Sequence, residues 1–112
     1  MHANGDDGFI VNTASIYGLA SATSAYGITK QGVVAISEAY QSALQALGSK
    51  VMVSSLCPSF HSTNIGSAEY DKQKLPEDTQ VMDAILANGP GPDAVAKAVF
   101  DGIEAGDHYI HT

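Results

Sequence analysis

A tyrosine and a lysine four residues apart are the side chains of this 112-residue sequence best suited to acid–base chemistry. On a helix, Tyr26 and Lys30 would share one face, because side chains at i and i+4 are neighbours. A positive charge favours the phenolate form of a nearby tyrosine, so such a phenol can exchange a proton with a substrate oxygen near neutral pH. Ser15 lies eleven residues before Tyr26, and its hydroxyl can reach the same oxygen if the loop between them folds back. These three residues are the candidate catalytic set.

Two short apolar runs and one long helical segment must position these side chains. Residues 8–14 are apolar and β-branched, which predicts a buried strand ending just before Ser15. Residues 23–47 repeat apolar side chains at helical spacing, and Gly48 is a typical helix stop. Residues 51–56 form a near-continuous apolar run, which is typical of a parallel strand covered on both faces. The candidate side chains therefore lie where a strand ends and a helix begins.

The remainder of the chain predicts two or three more helices and a last strand. Residues 65–74 and 76–86 are helix candidates, and Pro92 suits the first position of a helix that ends at Gly106. Residues 108–112 predict a short final strand. Strands alternating with helices predict an α/β fold with three parallel strands. Since a complete doubly wound domain usually has five strands or more, this pattern predicts half of one.

Composition and charge exclude several classes of function. Five lysines stand against twelve acidic residues, and the chain contains no arginine, which gives a net charge of −7. A nucleic acid or an anionic membrane surface would require a basic patch that this chain lacks. No apolar run approaches the roughly 18 residues of a membrane-spanning helix. The sequence thus predicts a soluble protein that binds neither nucleic acid nor membrane.

The cysteine and the histidines add two further expectations. Cys57 is the only cysteine, and the first residues show no secretion signal, so a reducing cytoplasmic location is predicted. His108 and His111 would point to opposite faces of a strand, so no metal site is predicted.

Three linked motifs give the sequence a family resemblance. Residues 10–19, 25–30 and 56–63 resemble, in order and in approximate spacing, the catalytic half of the short-chain dehydrogenase/reductase family. The resemblance extends over essentially the whole chain, from the family's fifth strand to its seventh. It implies a partial Rossmann-like doubly wound fold, with residues 1–112 as a single partial domain that forms the C-terminal half of an NAD(P)-binding domain.

The resemblance implies a role for each matching residue of the catalytic set. Tyr26 matches the general acid/base, and Lys30 matches the lysine that tunes this tyrosine and hydrogen-bonds the nicotinamide ribose. Ser15 matches the serine that orients and polarises the substrate oxygen. Asn12 resembles a strand-end asparagine with a structural role. Tyr17 follows Ser15 closely and is a candidate for the border of the substrate pocket.

The resemblance also implies a cofactor-binding turn after the second strand. Pro58 and Thr63 match the turn that lies along the nicotinamide and pyrophosphate of the family's cofactor, NAD or NADP. Ser59 stands where the family usually has glycine, which a serine can replace only if the backbone does not require a positive φ. His61 occupies a commonly aliphatic position and can alter how the carboxamide edge is held.

Two functions remain open from the sequence. No Gly-rich phosphate turn is found, so the adenine half of the cofactor site is expected to lie outside this chain. The first function is an NAD(P)-dependent oxidoreductase acting on a small-molecule alcohol or carbonyl compound. The alternative is a truncated, non-catalytic chain that acts by associating with a complementary or identical chain, and the weakly charged long helix and an exposed sheet edge predict such contacts. Met82, Ile85 and Leu86 fit either a substrate lid or an ordinary amphipathic helix.

Overall fold

The computed structural model describes residues 2–20, 24–62 and 84–112. Within them, strands alternate with helices in the order β1 (Gly8–Thr13), α1 (Ala25–Ala46), β2 (Val51–Cys57), α2 (Pro92–Ala105) and β3 (Tyr109–His111). The sheet has the order β1–β2–β3, and both pairings are parallel. These elements confirm the predicted Rossmann-like α/β arrangement of three parallel strands alternating with helices. No helix in the described part of the chain is both long and apolar enough to cross a membrane.

The element boundaries differ from the predicted ones by a few residues. β1 ends at Thr13, although the Ala14 N–H still donates to the Leu56 carbonyl at 2.7 Å. β2 extends to Cys57, and β3 is shorter than predicted because it pairs with only the last three residues of β2. Residues 84–87 are helical. The predicted helix at 65–74, and the rest of the one at 76–86, lie outside the described residues.

The helix ends follow local sequence signals. The Ser24 hydroxyl accepts a hydrogen bond from the Gly27 N–H at 3.2 Å, which caps α1 at its start. Gly48 and Gly106 have φ values of 63° and 75°, in the left-handed region that favours glycine. Pro92 is the first residue of α2, where its missing N–H costs no helical hydrogen bond. The predicted stops and the predicted proline position are therefore confirmed.

β2 forms the centre of the sheet and of the core. It pairs with β1 on one side and β3 on the other, and six of its seven residues are buried. Ala14, Val34 and Cys57 form a buried cluster where the ends of β1 and β2 meet α1. The Asn12 side-chain amide donates to the Ser37 hydroxyl at 3.0 Å, which joins β1 to α1. The elements that carry the candidate catalytic residues are thus packed directly against one another.

Two side chains complete the hydrogen bonding of β2 where β3 does not reach. Gln41 Oε1 accepts from the Val53 N–H at 2.6 Å, and His108 Nδ1 donates to the Val53 carbonyl at 2.7 Å. Val53 has no exposed surface, so its peptide groups have little access to water. A buried peptide group without a partner is costly, so these two side chains stabilise the part of β2 that extends beyond its pairing with β3.

Replacing Gln41 with alanine is expected to lower the free energy of unfolding by about 1–3 kcal/mol, because the Val53 N–H would be left buried and unpaired. Gln45→Ala, one turn later on an exposed part of α1, is the matched control, and it should change stability by less than about 0.5 kcal/mol. Urea unfolding followed by circular dichroism measures both changes. Equal effects of the two variants would contradict the role given to Gln41.

Candidate active site

A cavity of about 430 Å³ lies at the carboxyl ends of β1 and β2. This is the end of an open α/β sheet at which ligands commonly bind. Its walls come from the loop after β1, the first turns of α1, the turn after β2 and the segment before α2. The candidate residues found in these walls are Ser15, Tyr26, Lys30, Pro58, Ser59 and His61.

Ser15 is fixed at the floor of this cavity by the turn that follows it. It caps a short 3₁₀ turn (Ile16–Gly18), and its hydroxyl oxygen accepts a hydrogen bond from the Tyr17 N–H at 3.3 Å. The next amide, that of Ile16, donates to the Pro58 carbonyl at 2.9 Å. Ser15 is buried, and its backbone has the extended conformation of a β-strand. Since the hydroxyl accepts from the chain, its own hydrogen remains available to a ligand oxygen.

Tyr26 and Lys30 extend from the first turns of α1, as their spacing predicts. Lys30 Nζ lies 5.7 Å from the centre of the Tyr26 ring and donates to the Thr13 carbonyl at 3.4 Å. The ammonium group is therefore held between the end of β1 and the phenol, where a cation–aromatic contact is favourable. Tyr26 is 51% exposed and lines the cavity, so a ligand in the cavity can contact it.

Gly18 allows the loop after β1 to approach α1 closely. A Cβ atom at this position would lie 2.9 Å from the Lys30 carbonyl oxygen and 2.9 Å from Val34 Cγ2. Real Cβ atoms do not approach other heavy atoms so closely, so a larger residue would push the loop away from the helix. The absence of a side chain at Gly18 therefore helps to set the separation between Ser15 and the residues of α1.

The turn after β2 accepts a serine in place of the glycine that the resembled family usually has. No non-glycine residue in the described ranges has a positive φ, so Ser59 adopts an ordinary backbone conformation. Its hydroxyl donates to the Thr112 carbonyl at 2.6 Å, which ties the turn to the residue after β3. Pro58 is half-buried in the cavity wall. Thr63, predicted to contact the cofactor, lies outside the described residues.

His61 is buried, and both of its ring nitrogens have partners within the chain. Nδ1 lies 3.2 Å from the Pro90 carbonyl oxygen, and Nε2 lies 2.5 Å from the Thr112 hydroxyl oxygen. A carbonyl can only accept, so Nδ1 carries the hydrogen of its contact with Pro90, while Nε2 pairs with the Thr112 hydroxyl. The imidazole thus braces the cavity wall, and its ring nitrogens are not free for a ligand.

Three aromatic rings stand in a row along the cavity. Tyr17 lies between the other two, with ring centres 6.3 Å from Tyr26 and 6.5 Å from Phe60. The interplanar angles of 79° and 82° give edge-to-face contacts, a favourable arrangement for aromatic pairs. Tyr17 therefore borders the cavity, as its position after Ser15 suggests, and Leu86 also lines it.

Sequence reasoning did not identify Phe60 or Gly18 as residues of the site. Phe60 follows β2 directly, and the predicted adjacency of two parallel strand ends could have placed it opposite Tyr17. Gly18 carries no local signal, because its importance arises only from the contact with α1.

Cys57 is buried as a small apolar side chain in a cluster with Ala14 and Val34. Burial raises the pKa of the Cys57 thiol, because desolvation disfavours the thiolate, and a hydrogen bond from the Ser15 backbone offsets only part of this effect. The cysteine is therefore expected to be a poor nucleophile in the folded chain.

A labelling experiment tests this expectation for Cys57. At pH 8, a chromogenic disulfide reagent should modify the folded chain at least about tenfold more slowly than the chain in guanidinium. Because the pKa is raised on folding, the labelling rate of the folded chain should still increase above pH 9.0, the thiol's ordinary pKa. Equal rates and equal pH midpoints in the two states would contradict the burial argument.

The fold is similar to that of solved short-chain dehydrogenases/reductases. A short-chain dehydrogenase/reductase from Burkholderia phymatum, in complex with NAD, matches 99% of this chain with a TM-score of 0.83 and 29% sequence identity. A short-chain dehydrogenase from Sphingobium yanoikuyae, in complex with NADPH, matches 97% with a TM-score of 0.68 and 26% identity. The chain spans 44% and 38% of the lengths of these two proteins. No protein-family model and no curated protein matches the sequence.

Proposed function

Since the chain is related in fold and sequence to the short-chain dehydrogenases/reductases, we propose that its cavity is the catalytic site of an NAD(P)-dependent oxidoreductase. The reaction is hydride transfer between the nicotinamide ring and a small-molecule alcohol or carbonyl substrate. The observation that carries the proposal is that Ser15, Tyr26 and Lys30 line a single cavity at the ends of two parallel strands. The cavity combines hydroxyl, phenol and ammonium groups, the donor set that polarises a substrate oxygen.

The residues of the cavity fit the nicotinamide half of the cofactor. The Lys30 ammonium and the Tyr26 hydroxyl are donors for ribose hydroxyls, and the backbone of the turn at Pro58 and Ser59 can pair with the carboxamide. When bound, the nicotinamide supplies or accepts the hydride. NAD or NADP is the proposed cofactor, because one of the two related structures contains NAD and the other contains NADPH.

Proton transfer is assigned to Tyr26. In the direction of carbonyl reduction, its phenol gives a proton to the substrate oxygen, which becomes the alcohol hydroxyl, and the resulting phenolate regains a proton from solvent. Lys30 is assigned the role of holding a positive charge beside the phenol during this transfer, since its ammonium lies 5.7 Å from the ring centre. Alcohol oxidation follows the same path in reverse. A positioned general acid contributes about 10²–10⁴-fold to the rate.

Ser15 holds the substrate oxygen in place. Its oxygen accepts from the Tyr17 N–H, so its hydrogen is directed to a second acceptor, which we assign to the substrate. This hydrogen bond orients the carbonyl and strengthens as negative charge develops on its oxygen. Ser15 is therefore a catalytic residue that polarises the substrate, whereas Tyr26 moves the proton.

Cofactor binding and turnover test the proposed function separately. NADH and NADPH fluorescence is titrated with the purified chain, and NAD(P)H consumption is then followed with a panel of ketones. A change in nicotinamide fluorescence, together with ketone-dependent oxidation of the cofactor, is expected. Absence of both signals would overturn the proposal for this chain.

A second candidate function is association without catalysis, with a complementary or identical chain. Apolar side chains are exposed on β1 at Phe9 and on α1 at Ile28, Ile36 and Tyr40. Exposed apolar surface of this kind marks a contact surface. Sedimentation and thermal unfolding test this candidate: a monodisperse monomer with one cooperative transition would contradict it. We propose a cytoplasmic location for the chain under both candidate functions, because its single cysteine is a buried free thiol.

A further inference from the structure

We infer that the substrate of this cavity is an uncharged carbonyl compound or alcohol that carries an aromatic or bulky apolar group. This inference rests on the proposed function, because it assumes that the bound molecule is the one that reacts at Tyr26. It adds a substrate class, which the three catalytic residues alone do not supply. Two independent properties of the described walls carry it: the aromatic row and the distribution of charge.

The aromatic row offers a binding surface for a further ring. Tyr17 makes edge-to-face contacts with Tyr26 and Phe60, yet 40% of the Tyr17 surface and 51% of the Tyr26 surface remain exposed. An aromatic group placed against this row would bury that surface and add a further aromatic pair. One such pair corresponds to about 2–10-fold in affinity beyond the effect of burial alone.

The rest of the described wall extends the apolar surface. Ile16 and Leu86 line the cavity together with the aromatic row. The Ile16 amide is bonded to the Pro58 carbonyl, so this side chain is held in the wall. Ser15, Tyr26 and Lys30 supply the donors that are assigned to the substrate oxygen. A molecule with one polar oxygen and one apolar body matches a wall that combines these donors with apolar side chains.

The charges of the described wall disfavour an ionised substituent. Lys30 is its only lysine, and it already contacts the Thr13 carbonyl and the Tyr26 ring. No arginine exists in the chain, and both nitrogens of His61 are engaged within the protein. No Asp or Glu lines the described part of the cavity either. Within the described wall, a carboxylate, phosphate or amine on the substrate would therefore find no free partner of opposite charge.

Three matched ketones test the inference by binding, independently of turnover. Butyrophenone carries a phenyl ring and no charge, 4-oxo-4-phenylbutanoate ends the same skeleton in a carboxylate, and 2-pentanone replaces the ring with a methyl group. Ligand-observed NMR titrations of the purified chain give the three dissociation constants. Butyrophenone should bind at least about tenfold more tightly than either other ketone, because it alone gains ring burial without desolvating a charge. Equal or tighter binding of the keto acid or of 2-pentanone would overturn the inference.

Variants of Tyr17 test the role of the aromatic row. Tyr17→Ala should weaken butyrophenone binding by about 3–10-fold, whereas Tyr17→Phe should retain the preference because it keeps the ring. Phe100→Ala, at an exposed position of α2 outside the cavity wall, is the control and should bind as the parent chain does. An unchanged affinity in Tyr17→Ala would overturn the inference. The stated preference in a chain that shows neither cofactor binding nor turnover would contradict the proposed function, while it would still assign to the cavity a selectivity for uncharged aromatic ligands.

Discussion

Tyr26→Phe is expected to lower ketone turnover about 10²–10⁴-fold, the usual contribution of a positioned general acid. The substitution removes only the hydroxyl, so the ring keeps its contacts with Tyr17 and with the Lys30 ammonium. Half of the side-chain surface is exposed, so the thermal unfolding midpoint should remain close to that of the parent chain. NAD(P)H oxidation and a thermal melt of the same preparation measure the two effects.

The matched control for this prediction is Tyr40→Phe. Tyr40 lies on the same helix, is similarly exposed and does not line the cavity, so loss of its hydroxyl should leave turnover unchanged. Retention of turnover in Tyr26→Phe would refute the assignment of Tyr26 as the acid/base. If the unfolding midpoint fell so far that much of the variant was unfolded at the assay temperature, the loss of activity would instead indicate a structural role for the hydroxyl.

Gly18→Ala is expected to destabilise the chain by about 1–3 kcal/mol, the typical cost of overpacking. The new methyl group would lie 2.9 Å from the Lys30 carbonyl oxygen, a backbone atom that cannot rotate away. The loop that holds Ser15 would have to move relative to α1. Since a misplacement of about 1 Å can cost about 10²-fold in rate, turnover should also fall. Urea unfolding and steady-state kinetics measure the two effects.

Gly32→Ala is a control that is expected to change the free energy of unfolding in the opposite direction. Gly32 lies within α1, and a Cβ atom there would have no atom within 4 Å beyond its chain neighbours and the backbone of its own helix. Alanine in a helix interior is more stable than glycine by about 0.5–1 kcal/mol, so this variant should be stabilised. If Gly18→Ala were as stable as the parent chain, the close approach between the loop and α1 would not constrain the site.

The fold could be predicted where its signals are local. The apolar run of β2, the cap at Ser24 and the glycines that end α1 and α2 each act within a few residues, so the sequence displays them directly. The 3₁₀ turn at Ile16–Gly18 was not predicted, because the loop has no periodicity. It is held by the Ser15 cap and by packing of Gly18 on α1, which depends on tertiary contact.

The catalytic chemistry of the candidate site could be predicted, but the hydrogen bonds that hold its walls in place could not. The residue types and spacing of Ser15, Tyr26 and Lys30 indicate a shared function, and all three line one cavity. The orientation of His61 depends on Pro90 and Thr112, which lie 29 and 51 residues away in the chain. Such distant partners leave no periodic or local pattern, so the sequence could not show that the imidazole is used internally.

The bracing of the turn after β2 links local motions of the cavity wall. Ser59 donates through its amide and hydroxyl to the Thr112 carbonyl, the Ser62 amide donates to the Pro90 carbonyl, and His61 contacts both partners. Because these hydrogen bonds share Pro90 and Thr112 as partners, opening one of them removes support from the others. The amide hydrogens of Ser59 and Ser62 should therefore exchange with solvent as one cooperative unit, with the same opening free energy, rather than fraying independently.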